Sequence, residues 1–466
     1  MRFSVRNAGI VAALALLAGC ATADPPPPPG LVLPPPAYAT NLPPSGAEQD
    51  WWLGFDDPVL AALVGEGLDA NLGVAAAADR LRAAAAFLRA ERADRLPSLD
   101  GGADAGLGLG TDAEVTASAG LFGLFNPDIS GRLAAEIRAA AADYAEAGYL
   151  VADQRRLVAA AIASQYIEYR RAGAQLELVE EATALQEQTL RIVTLRFEAG
   201  LAANLDVRPA ASDLAQTRAR RGLIAIARAD AANTLAVLLA EPPGTFVLPP
   251  APGEARIPRY VEGPPAGTPA DLLRRRTDIL AAEARLVRAA ADIGIEQADL
   301  RPALVIPGSL VLGDGSLGGL LSDFLGTVGA ALDLPLFDGG RRRAEVAAAE
   351  ALADASFAEY RVTFLDALAE VENALVAIAA YNQRIAALEE AIEQSETALD
   401  QSTALYREGL ASLFDVLDAQ RQLIASRQSL IDSQAALASS YAAFHAAVGS
   451  PGYGRVEGAA FAPVAD

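Results

Sequence analysis

Lysine is missing from the 466 residues, so all 37 basic side chains are arginines. Without lysine there is no P-loop ammonium to hold a nucleotide phosphate and no amine to form a Schiff base. Cysteine and histidine occur once each. That supply cannot build a metal cluster, a Cys–His dyad or a structural disulfide. The lone His445 falls late in an alanine-rich helical stretch, where a packed residue is expected rather than a ligand. Positive charge is also scarce: 59 carboxylates face the 37 arginines, for a net charge of −22. Phosphate backbones require clustered positive charge, so the composition argues against a nucleic-acid partner. No pocket-like cluster of carboxylates stands out for acid–base work. The reading is a protein that is not an enzyme and uses no metal or cofactor.

What is present begins with MRFSVRNAGIVAALALLAGCATAD. Arg2 and Arg6 precede an apolar run from Ala8 to Ala18, which is too short to span a bilayer but suits a secretory signal. The run ends in Leu17-Ala18-Gly19-Cys20, which resembles a bacterial lipobox. That resemblance implies a signal peptide over 1–19 and a diacylglycerol on the thiol of Cys20, with an acyl (palmitate-type) chain on its amine. Residues 20–49 are rich in proline and read as an extended spacer.

The rest of the chain says one thing twice. Arg80-Leu81 returns as Arg285-Leu286 and Pro97 as Pro302, while Gly131-Arg132, Gly200 and Asp206-Val207 return as Gly340-Arg341, Gly409 and Asp415-Val416. This tandem repeat places the first copy at 50–240 and the second at 271–450. A proline-rich connector covers 241–270, and a tail covers 451–466. Each copy reads as a helix, two strands, a very long helix, a glycine turn and a return helix. The strands show period two. Leu99, Gly101, Ala103, Ala105, Leu107 and Leu109 alternate with Asp100 and Asp104, and Ala113 to Leu121 alternate with Asp112, Glu114, Thr116 and Ser118. The second copy offers Leu304 to Leu312 and a single strand from Phe324 to Leu334. These lengths suit a membrane-spanning strand.

Arg132–Glu198 holds no proline, and Arg341–Glu408 holds neither proline nor glycine. Each would reach about 100 Å at 1.5 Å per residue. A thin seam runs along both: Leu176, Val179, Thr183, Gln186, Leu190, Val193 and Phe197, then Ile385, Leu388, Ile392, Ser395, Leu399, Ser402 and Tyr406. Four strands cannot close a barrel, and open strand edges in lipid strand backbone groups, so several copies must pool their strands.

DWWLGFDDPVLAALV (50–64), NPDISGR (126–132), RRRTDILAAEARLVRAAADIGIEQADLRPAL (274–304), PLFDGGRRR (335–343) and YREGLASLFDVLDAQ (406–420) together resemble the TolC-like outer-membrane efflux proteins. With the lipobox, the likeness is to their lipoprotein, NodT-type branch. It implies a mixed α+β membrane protein. In it a homotrimer forms a twelve-stranded barrel in the outer membrane, continued by an α-helical coiled-coil tunnel through the periplasm. It also implies a periplasmic adaptor and an inner-membrane pump, usually of the resistance–nodulation–division type. Two departures are visible: Thr277 replaces a common Pro, and Ser130 a common aromatic residue.

The resemblance places Gly200 and Gly409 at the periplasmic tips, and as breaks in long helices they fit that place. Asp415 and Asp418 share a helix face there, whereas the first copy has Asp206 but Pro209 in place of a second acid. Asp415, Asp418 and Asp206 are thus the candidate gate carboxylates. Ser412-x-x-Asp415 also reads as a capping box, an alternative use of Asp415. Ala411 stands where some relatives carry an Arg that latches the closed tip. The expected function is the exit duct of a tripartite efflux system for small molecules. A type I protein-secretion duct is the alternative, and a soluble periplasmic adaptor is a third reading.

Overall fold

The computed structural model describes residues 35, 39, 50–108, 114–248, 256–261, 268–312 and 324–449. Cys20, the segments 1–19 and 451–466, nearly all of 20–49 and the strand-tip residues Leu109, Asp112 and Ala113 lie outside them.

A 3-10 turn (Trp51–Phe55) leads into α1 (Pro58–Ala70) and α2 (Leu72–Ala93). Asp57 starts α1 by accepting the amides of Val59 and Leu60, and Asn71 breaks the pair and caps α2 through Gly73 and Val74. Then come β1 (Ser98–Gly108), β2 (Glu114–Phe125), α3 (Arg132–Glu198) and α4 (Asn204–Leu238). The second copy repeats the order with α5 (Pro269–Arg275), α6 (Thr277–Ala298), β3 (Ala303–Leu312), β4 (Phe324–Val328), β5 (Ala331–Asp333), α7 (Arg341–Glu408) and α8 (Leu413–Val448).

The strands form one antiparallel sheet in the order β1-β2-β3-β4, with β5 also on β3. Antiparallel partners share a face, so the pairs Ala103↔Ala119, Ala105↔Ala117 and Leu121↔Leu310 extend one apolar surface across both hairpins. Asp104↔Ser118 and Ser309↔Thr327 lie on the other, and the last two hydroxyls are 2.6 Å apart. Leu99 and Leu107 on the apolar face are 70% and 61% exposed, so the described residues leave these side chains uncovered. A strand of ten to twelve residues tilted by about 40° rises about 25–30 Å, the height of an apolar band in a bilayer.

Two strand readings need correction. β2 runs past Leu121 to Phe125, because β3 keeps pairing with it as far as Phe125↔Ile306. The single strand expected over 324–334 is nicked into β4 and β5, although both pieces hold one register on β3. Pro307 lies opposite the nick: it accepts the Gly329 amide at 2.9 Å but has no amide to return.

The long helices begin and end as the residue pattern indicated. Asp128 accepts the amides of Leu133 and Ala134, and Asp338 those of Gly340 and Arg342. Both then stop in the same reverse turn. Leu201 donates to the Arg196 carbonyl and Gly200 to that of Phe197; Leu410 and Gly409 do the same to Leu405 and Tyr406. The glycines sit at φ 72° and 77°, in the left-handed region.

Along α7 the seam matches the reading, with Ile385, Ser395, Leu399 and Tyr406 buried. On α3 it is wider: Leu178, Ala182 and Thr189 are buried too, while Phe197 is 42% exposed. α3 packs on both α4 and α8, so its buried stripe must serve two neighbours. The three largest apolar clusters among the described residues hold the helices together. Trp51, Leu60, Ile162, Tyr166 and Leu235 fill one, Ile279, Phe364, Leu375 and Phe444 a second, and Val193, Leu399, Leu413 and Leu417 the third, beside the turns.

Candidate functional site

The two glycine turns lie together at one end of the helices. Leu413, Val416 and Leu417 bury one face of α8 against Val193 and Leu399, which leaves Asp415 and Asp418 exposed on the opposite face. The two carboxylates therefore do share a surface, as their spacing required. They are not equivalent. Asp415 Oδ2 accepts the Ser412 amide at 2.8 Å and the Ser412 hydroxyl at 2.9 Å, and Ser412 Oγ accepts the Asp415 amide at 3.3 Å. This is the reciprocal capping box, and these bonds hold the Asp415 carboxyl below its ordinary pKa. Asp418 lies one turn further on with no part in the cap.

The first turn is a weaker copy. Asp206 accepts the Ala203 amide at 3.3 Å, but alanine offers no hydroxyl in return. Asp206 is half-buried, and Leu201 and Leu205 beside it are 69% and 70% exposed. Leu410 and Phe414, their equivalents in the second copy, are 76% and 52% exposed. Each tip thus carries an uncovered apolar pair at matching positions.

Sequence reading missed what joins the tips. Arg196, near the end of α3, donates to the carbonyls of Tyr406 (3.1 Å) and Arg407 (3.3 Å) at the end of α7, and its guanidinium lies 4.8 Å from the centre of the Tyr406 ring. Terminal helix carbonyls lack intrahelical donors and carry negative partial charge, so a cation belongs there. Burial raises the Tyr406 pKa; Arg196 opposes this shift and Asp206 adds to it. The Tyr406 hydroxyl and Arg196 Nε are buried without a partner in the described residues. One turn beyond Asp418, Arg421 of α8 bonds Asp213 of α4 at 2.9 Å. The signal was a break in the repeat: Leu405 occupies the place of Arg196 in the second copy.

Higher up, a buried charge node fixes the helices that carry these tips. Arg276, 2% exposed, bonds Asp278, Glu370 and the Ala447 carbonyl, and so ties α6 to α7 and the end of α8. Burial pulls its pKa down, but the two carboxylates more than offset that and leave it above its ordinary value. Burial drives the Asp278 pKa up, but Arg276, Arg156 and the Ile279 amide together more than offset it, so the carboxyl stays ionised. Thr277 donates its hydroxyl to Asp153 of α3 at 3.0 Å, a bond that a proline there could not make. Ser130 is buried, and its carbonyl accepts from Arg301 at 3.0 Å. Among the described residues no group of His, Cys, Asp and Glu is arranged to hold a metal.

The fold that carries these features has counterparts in known proteins. The family model described as "Outer membrane efflux protein" matches residues 63–241 and 268–450. The outer membrane protein OprJ of Pseudomonas aeruginosa is 33% identical over 345 residues, which cover 70% of this chain and 71% of OprJ. Nodulation protein T of Rhizobium leguminosarum bv. viciae is 32% identical, over 70% of this chain and 69% of its own. The solved structure of the outer-membrane channel OprN superposes with a TM-score of 0.83 at 28% identity, over 91% of this chain and 98% of that one. The chain therefore belongs to the outer membrane efflux protein family, as an efflux channel of the outer membrane with its tunnel in the periplasm.

Proposed function

We propose that the chain assembles as a homotrimer and serves as the exit duct for small molecules handed to it by a periplasmic adaptor and an inner-membrane pump of the resistance–nodulation–division type. The trimer rests on the sheet. β1 on one side and β4 with β5 on the other are its edges among the described strands, and open edges in lipid cost several kcal/mol for each unsatisfied backbone group. Three four-stranded shares close a barrel of twelve. In this reading 1–19 is removed, Cys20 carries lipid, 20–49 spaces the anchor from the body, and the copies 50–240 and 271–450 act as units joined by 241–270. Cys20→Ser should then abolish labelling by radioactive palmitate, and equal labelling of both proteins overturns the anchor. The exposed pairs Leu201/Leu205 and Leu410/Phe414 are the surface offered to the adaptor, since uncovered apolar side chains at equivalent positions suit a repeated helical partner.

The gate reading rests on one observation: α8 turns Asp415 and Asp418 outward together, while Pro209 denies the first copy the second acid. Three copies about an axis give a ring of carboxylates that draws in cations. Asp418 is the freer contributor, because Asp415 also caps its helix. In planar bilayers, Asp415→Asn with Asp418→Asn should weaken block by multivalent cations and lower the preference for K⁺ over Cl⁻. The difference should shrink at high salt. Unchanged selectivity and block would leave the two residues as a cap and its neighbour.

A further inference from the structure

Where the sheet meets the helices, the exposed side chains change character. α2 carries Arg89 and Arg92 in its last turns, Arg95 follows, and Leu96 is 68% exposed just before β1. After β5, Leu336 and Phe337 are 90% and 93% exposed, and Arg343 lies exposed in the first turn of α7. Arg138 is exposed in the second turn of α3, just beyond β2. The nearby Arg132, Arg341 and Arg342 are taken up by Glu136 and Asp299, by Glu345 and by Asp338. Arg89, Arg92, Arg95, Arg138 and Arg343 form no ion pair with any described carboxylate. Arg89 and Arg138 are held along their helices by bonds from Nε to the carbonyls of Ala85 and Ala134.

We propose that these five arginines form a girdle that binds the phosphate groups of anionic phospholipids on the periplasmic side of the bilayer. The proposal rests on the sheet crossing the membrane, since that fixes the level of its helical end. Three observations favour this occupant. The girdle is continuous with the apolar sheet face, so it lies where head groups begin. Its five guanidiniums, which outnumber Glu91 and Asp94 set among the first three, carry charge opposite to theirs, in a chain whose net charge of −22 would otherwise be repelled by a phosphate surface. Apolar side chains stand beside the cations, with Leu96 next to Arg95 and Phe337 shortly before Arg343, as a boundary between acyl chains and head groups requires. Guanidinium also engages phosphate through two parallel bonds, which an ammonium cannot do.

The test uses the assembled protein in neutral detergent with added phosphatidylglycerol, phosphatidylcholine or inorganic phosphate. Bound lipid is read by native mass spectrometry and stability by the thermal midpoint. Phosphatidylglycerol should be retained in preference to phosphatidylcholine and should raise the midpoint, with the preference falling in high salt. Each basic group near an anionic surface is worth about fivefold in binding, so the triple variant Arg89→Gln, Arg92→Gln, Arg95→Gln should lower the preference by more than about tenfold. The matching triple Arg→Lys variant keeps the charge and should retain most of it. Equal retention of both lipids by the wild type overturns the proposal, as expected if carboxylates of a neighbouring copy neutralise the arginines. Equal stabilisation by inorganic phosphate also overturns it, in favour of a free-anion site. Because the wild-type comparison decides by itself, misassembly of a variant does not shield the idea.

Discussion

His445 should be the residue that makes the upper helical region sensitive to acid. Its ring is 4% exposed and stacks flat on Trp51, with centroids 5.3 Å apart, and Tyr260 lies 4.9 Å away. Nε2 has no partner among the described residues, so a proton there would be buried without a counter-charge. Burial pushes the imidazole pKa down to about 3. An unfolded chain would hold that proton near pH 6.5. The folded state refuses a proton the unfolded state accepts, so stability is full above about pH 6.5 and falls as pH drops toward 3. The slope is about 1.4 kcal/mol per pH unit, which gives a loss of about 2 kcal/mol at pH 5. What opens first should be the sleeve that His445 holds: the turn at Trp51–Phe55 and the connector segment at 256–261, which bond each other through Val261 and Gly54. Because the chain has one histidine, a protein labelled only in histidine gives a single imidazole signal to titrate. That signal should stay in its neutral position from pH 8 to about pH 4.5. His445→Phe keeps the stacking surface and removes the base, so its stability should change less between pH 7 and pH 5, by about 2 kcal/mol. An imidazole that titrates near pH 6.5, or a variant with the wild-type pH slope, would refute the reasoning.

Two further perturbations follow from the charge node and the tips. Arg276→Ala leaves Asp278 and Glu370 without their shared cation, and breaking a buried pair from one side costs about 3–5 kcal/mol. Chemical denaturation should register that loss, with partial recovery when Asp278→Asn and Glu370→Gln are added; no recovery would mean that packing, not charge, carries the cost. At Gly409 the space around a would-be Cβ is empty, so only the φ of 77° resists substitution. Gly409→Val should cost about 1–3 kcal/mol and Gly409→Asn much less, since asparagine tolerates that region. Equal thermal midpoints for the two variants would remove the strain argument.

Much of this architecture could be read from residue types alone, because the signals are long and periodic. Two stretches of nearly seventy residues without proline have few alternatives to helix, and the terminal residues Arg132, Glu198, Arg341 and Glu408 coincide with those of α3 and α7. The glycine turns were legible because only glycine enters the left-handed region without cost. Less legible was whatever depends on a third element. The buried stripe on α3 was drawn too narrow because a periodic pattern does not reveal a second neighbour such as α8. The nick at Pro307 is a missing amide on the partner strand, invisible along 324–334. Arg196 gave no local sign, since an arginine late in a helix is ordinary; only its replacement by Leu405 in the other copy marked it.

The length of α3 and α7 has a mechanical consequence. Each is a rod of about 100 Å, rooted in the sheet at one end and ending at a glycine turn at the other. A tilt of about 3° at the root carries the far end sideways by about 5 Å, the width of a small solute. The distant end can therefore be steered by repacking at the root that is too small to disturb a single rotamer. Close packing of the small side chains Ala435, Ala438 and Ala442 in one cluster with Ile162 and Tyr166, midway along α3, stiffens that rod between its two ends.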